Sequence, residues 1–322
     1  MDLRFEPPDE QDVLIEGAWT HRYVSANGIR FHVVEQGAGP LVLLLHGFPQ
    51  FWWTWRHQIP ALAAAGLRVV AVDLRGYGAS DKPPGGYDLY TLSGDVGRLV
   101  RALGEQEAAV VGHDWGAILG WTAATLHPRQ VTRMVALETP HPLRLREAML
   151  GDREQRARLG WVFRFQLPGV GERTVLRSRA AWVEDTIGSW AGPGWQAHDE
   201  FPAALQRYRR AAQIPGVVPA AMEYYRWAVR SYVRPTGAHM ARLLEEGVPG
   251  QVLQIHSDGP GPMLLETAVG SDAYVSGDYR LEVLDGLGHF LPEEAPETVT
   301  ALLLEFLAAT PRPSLPPRRE RP

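Results

Sequence analysis

Six short runs, at residues 41–45, 68–73, 108–112, 133–137, 252–256 and 279–284, are apolar along most of their length, and stretches with helical spacing separate them. Strands apolar on both faces belong in the middle of a sheet that is covered on both sides. The spacing predicts helices over 55–65, 91–103, 117–127 and 296–308. Strands that alternate with helices imply a mostly parallel central sheet flanked by helices, an α/β architecture. Ahead of this series, alternating residues from Thr20 lead into Asn27-Gly28 and resume at Ile29, the signature of a β-hairpin with a type I′ turn.

The alternation stops near Pro140. Residues 141–235 are helical and irregular in pattern, rich in Arg and aromatics, and broken at Pro168-Gly169, Gly192-Pro193-Gly194 and Pro215-Gly216. They read as an insertion between strands, dividing the core into 1–140 and 236–310. Placed over the carboxyl ends of the strands, such an insertion would cover the crevice where open α/β sheets bind ligands. Residues 311–322, Pro- and Arg-rich with little to bury, read as a disordered tail.

Composition narrows the chemistry. The 322 residues contain no cysteine, which excludes disulfides, thiolate metal sites and a cysteine nucleophile. A net charge of −5 without a basic run in the body of the chain argues against nucleic acid as a partner. No apolar stretch reaches the length of a membrane span or a signal peptide, so the expectation is a cytoplasmic protein with no membrane partner. Lys82 is the only lysine, a bias that fits a GC-rich bacterial genome. The eleven His are too scattered to suggest a metal site, and eleven tryptophans are more than a core of this size needs.

Gly112-His113-Asp114-Trp115-Gly116 follows an apolar strand and precedes a helical segment. This is the strand-turn-helix setting of a nucleophile elbow, with Asp where Ser is more usual. A carboxylate suits attack on saturated carbon, because the product is an ester that water can later cleave. A serine there would instead attack an acyl carbonyl.

With His46-Gly47-Phe48-Pro49, the stretch Trp52-Trp53-Thr54-Trp55-Arg56-His57-Gln58-Ile59-Pro60, Asp73-Leu74-Arg75-Gly76-Tyr77-Gly78-Ala79-Ser80, and Gly288-His289-Phe290, the elbow makes the chain resemble the α/β-hydrolase superfamily, within it the epoxide hydrolases and haloalkane dehalogenases. The resemblance spans residues 23–307. It implies the α/β-hydrolase fold with an inserted helical cap, Asp114 as nucleophile, His289 as the base that activates water, and an oxyanion hole built from the backbone N–H groups of Phe48 and Trp115, with His46 opening that motif. It implies no cofactor and no metal, and a small-molecule epoxide and water as partners. A homodimer is compatible with it, the oligomeric state being open.

The family's usual acid lies after the seventh strand, where this chain has Ser257-Asp258-Gly259-Pro260, with Pro260 in place of the expected Asp. Some relatives carry the acid at the end of the sixth strand instead, and there stands Glu138. The resemblance thus offers Glu138 as a relocated acid and Asp258 as the alternative. In the cap, Tyr225 of Tyr224-Tyr225-Arg226 matches one of two family tyrosines that hold the epoxide oxygen. Trp161, four residues before Phe165-Gln166-Leu167-Pro168-Gly169, stands where the other belongs.

The implied function is opening of an epoxide to a vicinal diol through an Asp114 ester, and the tryptophan-rich cap points to a bulky or aromatic epoxide. A haloalkane dehalogenase with halide between Trp115 and Trp161 is the alternative. A non-catalytic ligand-binding protein on the same scaffold is a further one.

Overall fold

The computed structural model describes residues 8–308. Asn27 and Gly28 take left-handed backbone conformations and join β1 (Thr20–Ala26) to β2 (Ile29–Gln36) as an antiparallel hairpin. Then follow β3 (Leu41–Leu45), β4 (Arg68–Val72), β5 (Ala108–His113), β6 (Val131–Leu137), β7 (Gln251–Ser257) and β8 (Tyr279–Leu284). They form one eight-stranded sheet in the order β1-β2-β4-β3-β5-β6-β7-β8, antiparallel only where β2 meets its two neighbours. All five residues of β3 are buried, as its wholly apolar sequence requires.

Helices α1 (Gln58–Ala64), α2 (Leu89–Ala102) and α3 (Trp115–Leu126) connect the strands of the first half. The expected helix over 55–65 is interrupted: Trp52–Trp55 is a separate 3-10 turn whose four side chains are all buried. Helix α3 is apolar all round and buried except at its last residue, so it runs inside the molecule rather than along its surface. Two glycines let it approach the sheet. A Cβ on Gly116 would lie 2.0 Å from the Leu45 carbonyl oxygen, and one on Gly120 would lie 2.4 Å from the Met134 methyl.

Between β6 and β7 the chain is helical: α4 (Pro142–Gly151), α5 (Arg153–Arg158), a 3-10 segment Gly160–Gln166, α6 (Val170–Trp190), α7 (Pro193–Gln196), α8 (Phe201–Ala212), α9 (Val217–Ser231) and α10 (Pro235–Leu244). Helix α6 breaks at Arg177–Ala180, where Ser178, Arg179 and Ala180 all have positive φ. Helix α10 packs on α3 as well as on α9. The core is completed by α11 (Leu265–Ala268), α12 (Leu291–Glu294) and α13 (Pro296–Ala308). No helix among the described residues is long and apolar enough to cross a membrane. The expected tail, 311–322, lies outside the described residues.

Candidate active site

β5 ends at His113 and α3 begins at Trp115, leaving Asp114 alone in the turn at φ 49° and ψ −117°. A non-glycine residue in this region is strained, and only tight surroundings hold it there. Those surroundings are glycines. A Cβ on Gly112 would stand 2.3 Å from the Gly116 carbonyl oxygen, and one on Gly47 would stand 2.3 Å from the Asp114 Cβ. The loop after β3 therefore presses directly on the elbow, and the Phe48 N–H donates to Asp114 Oδ1 at 2.8 Å. Burial pushes the Asp114 carboxyl up to about 6, while the Phe48 and Trp115 backbone N–H groups pull the other way.

His289 sits between two carboxylates. Its Nε2 is 3.8 Å from Asp114 Oδ2 and its Nδ1 is 3.8 Å from Glu138 Oε2. Both separations are longer than a hydrogen bond and become ion pairs only when the imidazole is protonated. Burial, with His113 and His256 nearby, holds the imidazole well below its ordinary value and hence neutral at pH 7. Glu138 follows β6 directly, at φ 59°, and its N–H donates to the Ile255 carbonyl at 2.9 Å. Its Oε1 accepts the Ser257 N–H at 2.5 Å. Burial pushes this carboxyl upward too, and Ser257 opposes the shift.

Asp258 points elsewhere. Its side chain is exposed and accepts the Gly286 N–H at 2.7 Å. The loop after β7 passes the histidine at Gly261, where an added Cβ would be 3.5 Å from the His289 Cβ and 4.0 Å from Glu138 Oε2. Of the two candidate acids, only Glu138 faces His289.

Above Asp114 opens a cavity of about 350 Å³, lined by Asp114 and Trp115 from the core and by Trp161, Trp190 and Tyr225 from the helical insertion, among mostly apolar neighbours. The Tyr225 ring packs edge-on against Phe48 at 5.5 Å, Trp115 at 5.2 Å and Trp161 at 5.1 Å. Burial and the Asp114 charge raise the Tyr225 hydroxyl well above its ordinary value, so it stays protonated and able to donate. The Trp161 indole N–H is buried and has no hydrogen-bond partner among the described residues. Such a donor is costly unless something occupies the cavity beside it. Trp190 meets the His289 ring edge-on at 5.5 Å.

Residues 40–296 match the model of the alpha/beta hydrolase fold family. The chain is 35% identical over 324 aligned positions to epoxide hydrolase A of Mycobacterium tuberculosis, covering 90% of this chain and 98% of the relative. The chain belongs to the alpha/beta hydrolases, among the epoxide hydrolases. Epoxide hydrolase A from Mycobacterium thermoresistibile superimposes with a TM-score of 0.76 at 29% identity, covering 91% of this chain and all of that one, 100%. A mutant epoxide hydrolase from Bacillus megaterium, complexed with its product (R)-3-[1]naphthyloxy-propane-1,2-diol, superimposes with a TM-score of 0.77 at 28% identity over 89% of this chain and 100% of that one. The chain is accordingly a hydrolytic enzyme.

Other motif residues brace the hydrolase site from behind. His46, which opens the oxyanion-hole motif, does not line the cavity: its Nδ1 bonds the Gly47 carbonyl at 2.9 Å and its Nε2 accepts the Leu74 N–H at 3.1 Å. Asp73 is buried and accepts bonds from His32, Trp52 and Ala79, fixing the glycine-rich turn that follows β4. Arg56 lies over Trp53 and pairs with Glu293 at 2.6 Å and with Glu200 of the insertion at 2.8 Å, joining the two parts of the chain.

Two supports escaped the sequence reading. Glu294 accepts N–H bonds from Gly192, Gly288 and Phe290, clamping the histidine loop to the insertion. His113 Nε2 bonds the His289 carbonyl at 2.7 Å. Their proximity to His289 and to the elbow was the available signal, but neither residue type marks such a role alone. Among the described residues no group of His, Asp or Glu is arranged to hold a metal ion.

Proposed function

We propose that this hydrolase opens an epoxide to a vicinal diol in two steps. Asp114 attacks an epoxide carbon while Tyr225, assisted by the Trp161 indole N–H, holds the departing oxygen. His289 then takes a proton from water that attacks the Asp114 ester, and Glu138 stabilises the imidazolium. The N–H groups of Phe48 and Trp115, already directed at the Asp114 carboxylate, stabilise the oxyanion formed in that attack. In this reading residues 141–235 are a cap over a core of residues 1–140 and 236–310, and the enzyme works in the cytoplasm.

The observation that carries the reading is the opposition across one cavity of the Asp114 carboxylate and two protonated donors from the insertion. A nucleophile beneath and hydrogen-bond donors above suit a three-membered ether, whose carbon is attacked as its oxygen departs. The cavity's aromatic lining favours an apolar, aromatic substrate. The naphthyl product in the Bacillus megaterium relative fits the same preference.

The unpartnered Trp161 indole, which shares the cavity with Trp115, also keeps haloalkane dehalogenation in view, since two indoles can hold a halide. Styrene oxide and a halogenated alkane, assayed in parallel for diol and free halide, distinguish the two. Diol without halide is expected. The two-step scheme is tested with His289→Gln incubated with styrene oxide. A substrate-sized mass increase on the peptide containing Asp114 is expected, and its absence refutes the scheme.

A further inference from the structure

Nine large hydrophobic side chains are exposed among the described residues, and five of them, Leu150, Phe163, Leu167, Leu176 and Val233, lie between residues 141 and 235. The concentration is tighter than the count suggests. Leu150, Phe163 and Val233 also line the cavity above Asp114, at exposures of 65%, 51% and 86%, so they form its mouth. An apolar rim around an opening marks an interaction surface rather than scattered surface leucines.

Charge identifies what the rim meets. Residues 141–235 carry fifteen arginines against nine Asp and Glu, while the whole chain has a net charge of −5. Several arginines adjoin these mouth residues in the chain. Arg164 follows Phe163, Arg234 follows Val233, and Arg153 starts the helix just beyond Leu150. None of these three has an acidic partner among the described residues, whereas Arg209 and Arg226 of the same segment are paired to glutamates. Arg146 lies over the ring of Tyr232, another residue of the lining.

We propose that the mouth of the active-site cavity docks on an anionic lipid surface, the apolar side chains entering the headgroup layer and the unpaired arginines meeting lipid phosphates. Peripheral binding of this kind needs no membrane-spanning segment; apolar burial and attraction to anionic lipid act together. It revises the sequence expectation that no membrane is a partner. A second copy of the chain fits the rim less well, because a symmetric contact would set one arginine-rich face against another. The docked geometry would open the cavity towards the phase in which apolar epoxides collect. The docking itself does not depend on the chemistry at Asp114.

Co-sedimentation of the full chain with phosphatidylcholine vesicles, with and without phosphatidylglycerol, tests the proposal. Binding to the phosphatidylglycerol vesicles alone, released by high salt, is expected. The double variant Arg164→Glu/Arg234→Glu and the single variant Leu167→Glu should each weaken it by about ten-fold or more, with diol formation from soluble styrene oxide and the thermal midpoint unchanged. No binding to anionic vesicles at low salt overturns the proposal. So does binding that ignores these substitutions, or equal binding to both vesicle types. Concentration-dependent dimerisation in light scattering that Val233→Glu abolishes, without vesicle binding, would assign the rim to a second copy instead.

Discussion

Replacing Glu138 by Gln removes one negative charge while keeping the shape of the side chain and a carbonyl oxygen for the Ser257 N–H. The carboxylate stands 3.8 Å from His289 Nδ1. At that separation a unit charge pair is worth about 4 kcal/mol with an effective dielectric constant of about 20. The pair exists only when His289 is protonated, which in the proposed scheme occurs as water attacks the ester. The whole loss therefore falls on the second step, and about 4 kcal/mol corresponds to roughly a thousand-fold in its rate. Attack by Asp114 on the epoxide does not use the imidazolium and should be nearly untouched. Rapid quenching followed by mass spectrometry should show a burst of one adduct per protein on the Asp114 peptide, then a stalled steady state. Asp258→Asn, whose carboxylate is occupied by the Gly286 N–H, should turn over as the parent enzyme does. If Glu138→Gln keeps full turnover while Asp258→Asn loses it by orders of magnitude, the assignment of the acid is wrong.

The Asp114 carboxyl, raised to about 6, must be ionised to attack, so ester formation in a single turnover should fall as pH drops through that value; a rate that stays flat well below it removes Asp114 as the titrating group. The same shift costs stability. Asp114 has a higher pKa folded than unfolded, so the folded state favours its neutral form; this stabilisation is present in acid and lost as pH rises through about 6. A rise of about two units corresponds to about 3 kcal/mol, so Asp114→Asn should melt a few degrees higher at neutral pH, with the gain vanishing in acid by calorimetry. Tyr225→Phe should slow ester formation by about a hundred-fold, as expected for loss of one well-placed donor. Trp161→Phe should slow the same step, and pre-steady-state rates would show whether either change instead affects ester hydrolysis. Gly116→Ala should give no soluble enzyme, since its Cβ would fall 2.0 Å from the Leu45 carbonyl oxygen.

Local signals carried most of the fold into the sequence. The Asn27-Gly28 turn, the apolar strands and the elbow all depend on neighbouring residues, and the described structure follows them to within a few positions. The split at Trp52–Trp55 was not legible, because it depends on long-range anchors: the Trp52 indole donates to the Val13 carbonyl at 2.7 Å and Arg56 reaches Glu293. Glu294 was invisible for the same reason. Its partners join the adjacent loop carrying His289 to Gly192, which lies before α7 about a hundred residues away. Nothing in the Glu293-Glu294 pair distinguishes a clamp from a solvated helix start. His46 was read by its motif, and only its two bonds to backbone groups turn it into a brace.

The acid's position shows how neighbouring strands can exchange a function. β6 and β7 pair in parallel with Leu137 opposite Ile255, so their carboxyl ends finish at nearly the same level beside His289. A side chain leaving either end has the same imidazole within reach. From β6, however, the carboxylate must turn back across β7, and Glu138 does this by adopting φ 59° while keeping its N–H on the Ile255 carbonyl. Holding a non-glycine residue there costs on the order of 1 kcal/mol or more. The Ser257 N–H, directed at Glu138 Oε1, is a charge-assisted bond of at least comparable worth. The strain and its compensation therefore form one unit. Ser257→Pro, which removes that N–H together with the Ser257 hydroxyl that also bonds the carboxylate, should loosen Glu138 and slow ester hydrolysis while leaving ester formation intact. A variant that slows ester formation instead would place Glu138 in the wrong half of the reaction.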